Sequence, residues 1–155
     1  MIADPVGRPM EILLIEDSLM AAKLAVQAVR GRQFDHRLTW LSDGQEAMSF
    51  LLRERQYLRA PQPDLVLLDL ILPNKSGADI LRAIRADERL KSTPVVIMTG
   101  EAQNLPEGLD VQAVVTKPFN AADFQNILDR LRGHWRSGML LPAPDDKPFG
   151  GLGLS

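Results

Sequence analysis

The side chains best suited to chemistry all stand at or just after the ends of short apolar segments. They are Glu16, Asp17, Asp69, Thr99 and Lys117. Three carboxylates close together repel one another unless a cation or protons neutralise them. Oxygen ligands without His or Cys favour a hard ion, and Mg²⁺ is the natural choice. Lys117 adds a fixed positive charge and Thr99 a hydroxyl donor, so the set predicts a site for a tetrahedral anion attached to one carboxylate.

The apolar segments have the length and composition of buried parallel strands. The central one, Leu-Val-Leu-Leu before Asp69, is too short for a helix and is stopped by a Pro-Asn-Lys-Ser-Gly turn. The other candidates are residues 11–15, 38–41, 94–98 and 111–115. Asp69 alone could equally be a solvated residue that starts a turn. The convergence of five such residues on the rim where open α/β sheets bind ligands favours a site instead.

Amphipathic helices alternate with these strands. Ser18 begins the first helix, Ser42 with Gln45 has the form of a capping box, and Ser76 and Asn120 cap two later helices. The alternation predicts an α/β fold, with a doubly wound five-stranded parallel sheet covered by helices on both faces. One solvated face of the third helix is predicted to carry three arginines, namely Arg82, Arg85 and Arg89.

Composition restricts the function classes. A chain of 155 residues with 45% hydrophobic and 25% charged residues is predicted to form one globular domain. The net charge of −2 gives no electrostatic reason to expect nucleic acid or an anionic membrane as a partner. No cysteine, signal peptide or membrane-spanning run is present in the sequence, so a cytoplasmic protein is expected.

In combination, these motifs resemble a response-regulator receiver domain. The resemblance covers about residues 10–133. It rests on the Glu16-Asp17 pair, Asp69 with Pro73 and Gly77 after it, Thr99 with Gly100, and Lys117-Pro118-Phe119. It implies the flavodoxin-like strand order 2-1-3-4-5.

The resemblance also implies roles for the site residues. Asp69 would accept a phosphoryl group from a phosphohistidine on a partner histidine kinase, and Thr99 and Lys117 would bind the phosphoryl oxygens. The Mg²⁺ ligands would be Glu16, Asp17, Asp69 and the backbone carbonyl of Ile71. The chain would then be a stand-alone response regulator that signals by changed protein binding. It would catalyse only its own phosphoryl transfer and dephosphorylation.

Two features depart from the receiver pattern. Receivers commonly carry an aromatic residue three positions before the lysine, where this chain has Val114, so the usual threonine-aromatic switch is not expected. The segment between Thr99 and Val114 contains Pro106 and Gly108, which disfavour a helix interior. The fourth helix of the fold is therefore predicted to shorten to a turn or loop.

A narrower resemblance is to the single-domain response regulators that partner phytochrome-type histidine kinases. It implies a homodimer that buries Trp135, Leu140 and Leu141 against the other subunit. The chain would divide into a lead-in at residues 1–9, the receiver at 10–133 and an extension at 134–155 that serves the dimer and then becomes disordered.

Two other functions remain open from the sequence. An aspartyl-phosphate hydrolase would use Asp69 as nucleophile, but such enzymes usually carry a second acid two positions later, where Ile71 stands here. A receiver-like interaction module that is never phosphorylated is the other alternative, and Val114 is the residue that favours it.

Overall fold

The computed structural model describes residues 8–32, 34–101 and 105–135. The strands in this part of the chain are β1 (Met10–Ile15), β2 (His36–Leu41), β3 (Leu65–Asp69), β4 (Val95–Thr99) and β5 (Ala113–Thr116). The α-helices are α1 (Leu19–Arg30), α2 (Gly44–Leu52), α3 (Gly77–Ala86) and α4 (Ala121–Leu131), and short 3-10 turns occupy Arg55–Tyr57 and Arg132–His134. None of the helices described is both long and apolar enough to span a lipid bilayer.

The strands form one parallel sheet in the order β2-β1-β3-β4-β5. This confirms the predicted α/β class, the doubly wound topology and the strand order. Ile15 pairs with Leu68, and Asp69 pairs with Met98. Because parallel strands run in one direction, their carboxyl ends meet at one edge of the sheet, which is where the predicted site residues lie.

Two hydrophobic clusters cover the two faces of the sheet. One contains Leu65 and Leu67 of β3 and is completed by side chains of α1 and α4, such as Ala25 and Phe124. The other contains Val66 and Leu68 and is completed by α2 and α3. All five residues of β3 are buried, as the unbroken apolar run predicts for a central parallel strand. The strand that ends in Asp69 is therefore held firmly on both sides.

The connection between β4 and β5 contains no helix among its described residues, which are 100–101 and 105–112. The predicted loss of a regular helix here is confirmed. Arg85 of α3 holds the end of this connection. Its guanidinium donates to the Asp110 carbonyl at 3.0 Å and to the Gln112 side-chain oxygen at 3.0 Å, and also to the Thr93 carbonyl at 2.7 Å.

The prediction of a solvated arginine face on α3 is wrong for two of its three members. The Arg85 side chain is only 14% exposed because it is surrounded by backbone carbonyls that its five N–H groups can satisfy. Arg89 lies beyond the end of α3 at Ala86, and its guanidinium donates to the Leu51 carbonyl. Arg82 is exposed, as predicted, and pairs with Asp79 on the same helix.

Three of the four predicted helix caps are confirmed, namely Ser18, Ser76 and Asn120. The fourth is shifted by one residue. Asp43 caps α2 instead of Ser42, with its carboxylate 2.7 Å from the Gln45 N–H. The same carboxylate accepts a 2.5 Å hydrogen bond from the Asn74 amide. Asp43 therefore combines the helix cap with a tertiary contact to the loop after β3.

The chain after α4 turns back onto its own domain. Trp135 follows the 3-10 turn and packs against the cluster that contains Phe124. Its indole N–H donates to the Asp64 carbonyl at 2.8 Å. The other two residues predicted for a dimer contact, Leu140 and Leu141, lie outside the described residues.

Candidate functional site

The carboxyl edge of the sheet brings the predicted residues together. Glu16 and Asp17 follow β1, Asp69 ends β3, and Lys117 follows β5. Glu16 is fully buried, Asp69 is 7% exposed, and Asp17 faces solvent. One carboxylate oxygen from each of the three acids lies within 4.8 Å of the others. The site is thus a small acidic cluster that is open on the side of Asp17.

Lys117 bridges the two buried carboxylates. Its Nζ lies 2.7 Å from Glu16 Oε1 and 3.4 Å from Asp69 Oδ2. Burial by itself would lower the pKa of the Lys117 ammonium, but the Glu16 and Asp69 carboxylates outweigh it and raise this pKa overall. Lys117 therefore stays charged at neutral pH and supplies a fixed cation beside Asp69.

Glu16 is the most deeply enclosed group of the site. Its Oε2 accepts the Ser18 N–H at 3.0 Å, while Oε1 is in ion-pair contact with Lys117 but makes no hydrogen bond of regular geometry with any described residue. Burial is the main cause that raises the pKa of the Glu16 carboxyl, and Lys117 and the Ser18 N–H only partly offset it. A buried carboxylate oxygen with spare acceptor capacity is suited to bind a further cation.

The donor set fits a hard divalent cation. The acids of this cluster offer oxygen ligands, and their three carboxyl groups outnumber the one ammonium that contacts them. A divalent ion would neutralise that excess, and oxygen donors of this kind suit Mg²⁺ or Mn²⁺. The structure therefore supports a divalent metal site at Glu16, Asp17 and Asp69.

A close backbone approach fixes Asp69. Its Oδ1 accepts the Ile71 N–H at 3.2 Å, and the chain then folds back so that the Gly77 N–H donates to the Leu70 carbonyl at 2.9 Å. A Cβ atom at position 77 would lie 2.4 Å from the Asp69 carbonyl oxygen. Glycine is required here because nothing larger fits against that backbone. Ile71 itself points to solvent, with 83% of its surface exposed.

A second glycine lets the loop after β3 dock on the start of α2. A Cβ atom at position 44 would lie 2.1 Å from the Lys75 carbonyl oxygen, and the Gly44 N–H donates to the Pro73 carbonyl at 3.3 Å. The hydrogen bond between Asn74 and Asp43 closes the same contact. These residues were not among the predicted site residues, although they hold the loop that follows Asp69.

Thr99 ends β4 at the same edge, one residue beyond the register partner of Asp69. Its hydroxyl oxygen accepts the Glu101 N–H at 3.1 Å, and its carbonyl accepts the Lys117 N–H at 2.7 Å. The hydroxyl is thus engaged within its own loop. Val114 lies on β5 beside Ile97, two residues before the end of that strand at Thr116, and is 40% exposed.

Trp40 makes a contact with the site that the sequence analysis missed. Its indole N–H donates to the Glu16 carbonyl oxygen at 2.7 Å. The two residues are 24 positions apart, and only the parallel pairing of β1 with β2 brings them together. No local sequence signal marks a tryptophan for this role.

Comparison with known proteins agrees with this geometry. The family described as response regulator receiver domain matches residues 12–129. The response regulator Rcp1 of Synechocystis sp. is 34% identical over 145 residues, which cover 91% of this chain and 99% of Rcp1. The crystal structure of the Mn²⁺-bound form of Rcp1 superimposes with a TM-score of 0.67 and covers 87% of this chain and 100% of that one.

Two solved phytochrome-related regulators are also similar. The bacteriophytochrome response regulator RtBRR is 28% identical, with a TM-score of 0.75 over 89% of this chain and 85% of its own. The phosphorylated cyanobacterial phytochrome response regulator RcpA is 32% identical, with a TM-score of 0.68 over 87% of this chain and 99% of its own. With a parallel sheet of matching order and an acidic cluster at its carboxyl edge, the chain belongs to the response regulator receiver domain family.

Proposed function

We propose that this chain is a response regulator that accepts a phosphoryl group on Asp69 from a partner histidine kinase. The observation that carries the proposal is the position of the Asp69 carboxylate, which lies 3.4 Å from the Lys117 ammonium and in the same cluster as Glu16 and Asp17. A carboxylate so placed can act as a nucleophile toward phosphorus while the nearby cation binds the oxygens of the incoming group.

The transfer requires little covalent chemistry from the protein. An Asp69 carboxylate oxygen attacks the phosphorus of a phosphohistidine, a P–O bond forms, and the P–N bond breaks to release the imidazole. Phosphoryl transfer depends mainly on positioning and on neutralising charge. The Asp69 side chain is positioned by the Ile71 N–H, and its backbone by the tight approach of Gly77. Lys117 binds a phosphoryl oxygen.

A bound Mg²⁺ would neutralise charge on the carboxylates and on the phosphoryl oxygens. Its ligands would be the carboxylates of Glu16, Asp17 and Asp69 and the backbone carbonyl of Ile71. The spare acceptor capacity of Glu16 Oε1 supports this assignment. The Mn²⁺-bound form of Rcp1, a relative of this chain, also supports binding of a divalent ion.

Phosphorylation would act as a switch by adding charge at the rim. A phosphoryl group brings about −1.5 to −2 charges and several acceptor oxygens. The Thr99 hydroxyl, which accepts the Glu101 N–H in the present structure, would turn to donate to a phosphoryl oxygen. Val114 has no ring to rotate behind it, so the movement would pass to the β4–β5 connection directly. That connection contains no helix among its described residues.

The proposal also covers the partner kinase, the oligomeric state, the extent of the receiver and the location. We assign a phytochrome-type histidine kinase as the partner because RtBRR is a bacteriophytochrome response regulator and RcpA is a cyanobacterial phytochrome response regulator. We further propose a homodimer that uses Trp135, Leu140 and Leu141, a receiver spanning residues 10–133 between the lead-in and the extension, and a cytoplasmic location. Trp135 is partly buried in its own domain, so a dimer would cover its remaining exposed surface.

The direct test is uptake of one phosphoryl group. The protein is incubated with Mg²⁺ and a small phosphodonor, and its intact mass is recorded beside an Asp69→Asn variant. We expect one phosphoryl addition in the wild type and none in the variant. Size-exclusion chromatography with light scattering before and after the reaction measures the oligomeric state, and an unchanged monomeric mass at high concentration would remove the dimer from the proposal.

A folded protein that takes up no phosphoryl group with Mg²⁺ present would contradict the main proposal. It would favour the receiver-like interaction module, for which Val114 in place of an aromatic residue is the supporting observation. Repeated turnover of a small phosphoester would instead favour a hydrolase. Ile71 occupies the position of the second acid that such enzymes use, which argues against that outcome.

A further inference from the structure

We propose that Trp40 is a positioning residue for the metal and phosphoryl site, and that it acts through the backbone of Glu16. The inference rests on the proposed function, because it concerns the same site. Trp40 lies on β2 and donates its indole N–H to the Glu16 carbonyl oxygen at 2.7 Å. It reaches the peptide that joins the two acidic residues Glu16 and Asp17, and among the described residues its indole N–H donates to this backbone carbonyl and to neither carboxylate.

The Glu16 backbone is held to β2 on both of its polar groups. Its N–H donates to the Leu41 carbonyl at 3.1 Å, and its carbonyl accepts the Trp40 indole. β1 ends at Ile15 and β2 ends at Leu41. Beyond these ends, the indole N–H replaces the backbone N–H that would form the next hydrogen bond between the two strands. The pairing of β1 with β2 is thereby extended by one residue, up to the peptide that carries Asp17.

This extension matters because the side chain of Glu16 has little freedom of its own. Glu16 is fully buried and its carboxylate is held by Ser18 and Lys117. The direction in which the chain leaves Glu16 then sets where Asp17 stands relative to Asp69. Partners outside the ligand shell that orient metal ligands commonly change metal affinity when they are removed.

Burial alone gives a weaker account of Trp40. The residue is 38% exposed on an edge strand, so its ring gains less from the hydrophobic effect than a core aromatic residue does. The indole N–H could be satisfied by water at such a position, yet it is directed at a carbonyl of the site. The contact therefore has a role beyond packing, and that role can be separated from stability by experiment.

The chain supplies a matched control. It contains two tryptophans, and the second, Trp135, also donates its indole N–H to a backbone carbonyl, that of Asp64, at 2.8 Å. Asp64 precedes β3 and lies at the opposite end of the sheet from Asp69. Trp40→Phe and Trp135→Phe thus each remove one indole hydrogen bond and keep an aromatic ring, but only the first removes a bond at the site.

The test measures Mn²⁺ binding to the full chain by the electron paramagnetic resonance signal of the free ion. We expect Trp40→Phe to bind Mn²⁺ about tenfold more weakly than the wild type. Trp135→Phe should bind Mn²⁺ as the wild type does, although both variants should unfold at a lower denaturant concentration. Equal Mn²⁺ affinity in Trp40→Phe and the wild type, or an equal loss in both variants, would overturn the inference.

A second measurement covers the case in which Trp40→Phe fails to fold. Coupling between two sites is reciprocal, so a metal that is favoured by the Trp40 bond must in turn affect that bond. In Trp135→Phe, Trp40 is the only indole, and its fluorescence should change as Mg²⁺ is added. An emission spectrum that stays constant up to saturating Mg²⁺ would contradict the inference.

The wild type separates this inference from the proposed function. If the wild type neither binds Mn²⁺ nor takes up a phosphoryl group, the proposed function fails. If it does both and Trp40→Phe binds Mn²⁺ equally well, only the role of Trp40 fails.

Discussion

The two ends of the sheet carry charged clusters that are built in opposite ways. At the amino end, the Arg8 guanidinium donates to both oxygens of Asp64 at 2.6 and 2.7 Å, and the Glu11 N–H donates to Asp64 at 2.8 Å. At the carboxyl end, one ammonium serves two buried carboxylates and leaves a Glu16 oxygen without a regular hydrogen bond among the described residues. In the first cluster one guanidinium pairs with both oxygens of a single carboxylate, whereas in the second one ammonium is shared by two carboxylates.

The two clusters differ in charge balance, and this difference affects each end of the sheet in its own way. The amino-end cluster fixes the chain near both limits of the described domain through Arg8 and Trp135. At the carboxyl end, like charges that are not fully compensated lower the stability of the fold. Binding of a cation there would raise it. The amino-end cluster thus anchors the chain, whereas the carboxyl-end cluster carries the excess of negative charge that a cation would compensate.

The strongest way to break this contrast is to remove the Lys117 ammonium from the carboxyl-end site. Lys117→Met leaves the fully buried Glu16 carboxylate without a compensating charge. We expect a loss of about 3 kcal/mol in the free energy of unfolding without metal, which is at the lower end of the range for breaking a buried pair. Urea unfolding in the presence of a chelator measures it.

The second substitution Glu16→Gln tests the cause of this loss. If the uncompensated charge is responsible, the double variant should recover most of the stability lost in Lys117→Met. Addition of Mg²⁺ to the single variant should also recover part of it. A single variant as stable as the wild type would show that Lys117 is not needed to balance Glu16, and the contrast between the two ends would fail.

A smaller effect is expected from crowding the backbone at the carboxyl end. A Cβ atom in Gly77→Ala would lie 2.4 Å from the Asp69 carbonyl oxygen and 2.6 Å from the Leu70 Cα, neither of which can move freely. We expect a loss of about 2 kcal/mol, which is typical of overpacking. Gly133→Ala is the control, because its Cβ atom would meet nothing within 4 Å.

Thermal unfolding of both glycine variants and Mn²⁺ binding to each give the outcome. Gly77→Ala should lower both the stability and the Mn²⁺ affinity, because it displaces the backbone of Asp69. Gly133→Ala should change neither by a comparable amount. Equal effects of the two substitutions would mean that the close approach at Gly77 does not set the geometry of the site.

Much of this arrangement could be predicted from the sequence because it depends on topology. Apolar runs followed by polar residues predicted parallel strands, and parallel strands place Asp69 and Lys117 at one edge whatever the details of packing. The helix caps at Ser18, Ser76 and Asn120 also followed from local residue types.

Contacts between residues distant in sequence could not be predicted in the same way. Arg85 was expected to be solvated, but acceptors as far along the chain as Gln112 enclose its guanidinium. Trp40 has no local signal that points to the Glu16 carbonyl. Asp43 caps α2 in place of Ser42, and its carboxylate also bonds the Asn74 amide, 31 positions further along the chain. Each of these outcomes depends on register and loop geometry, which residue type alone does not determine.

The smallest expected effect concerns how well the arginines of the amino-end cluster compensate the charge of Glu11. Burial raises the pKa of the Glu11 carboxyl above its usual 4.5, with a further contribution from Asp64, although Arg37 at 3.5 Å and Arg8 oppose the rise. The folded state therefore holds this proton more tightly than the unfolded state does. The contribution of Glu11 to the free energy of unfolding must then decrease as the pH rises from 4.5 through the raised folded-state pKa. Glu11→Gln cannot titrate, so its stability relative to the wild type should increase between about pH 4 and about pH 7. Urea unfolding of both proteins across this pH range measures the trend. If the stability of Glu11→Gln relative to the wild type falls with pH, the two arginines stabilise the charged form of Glu11 more than burial destabilises it.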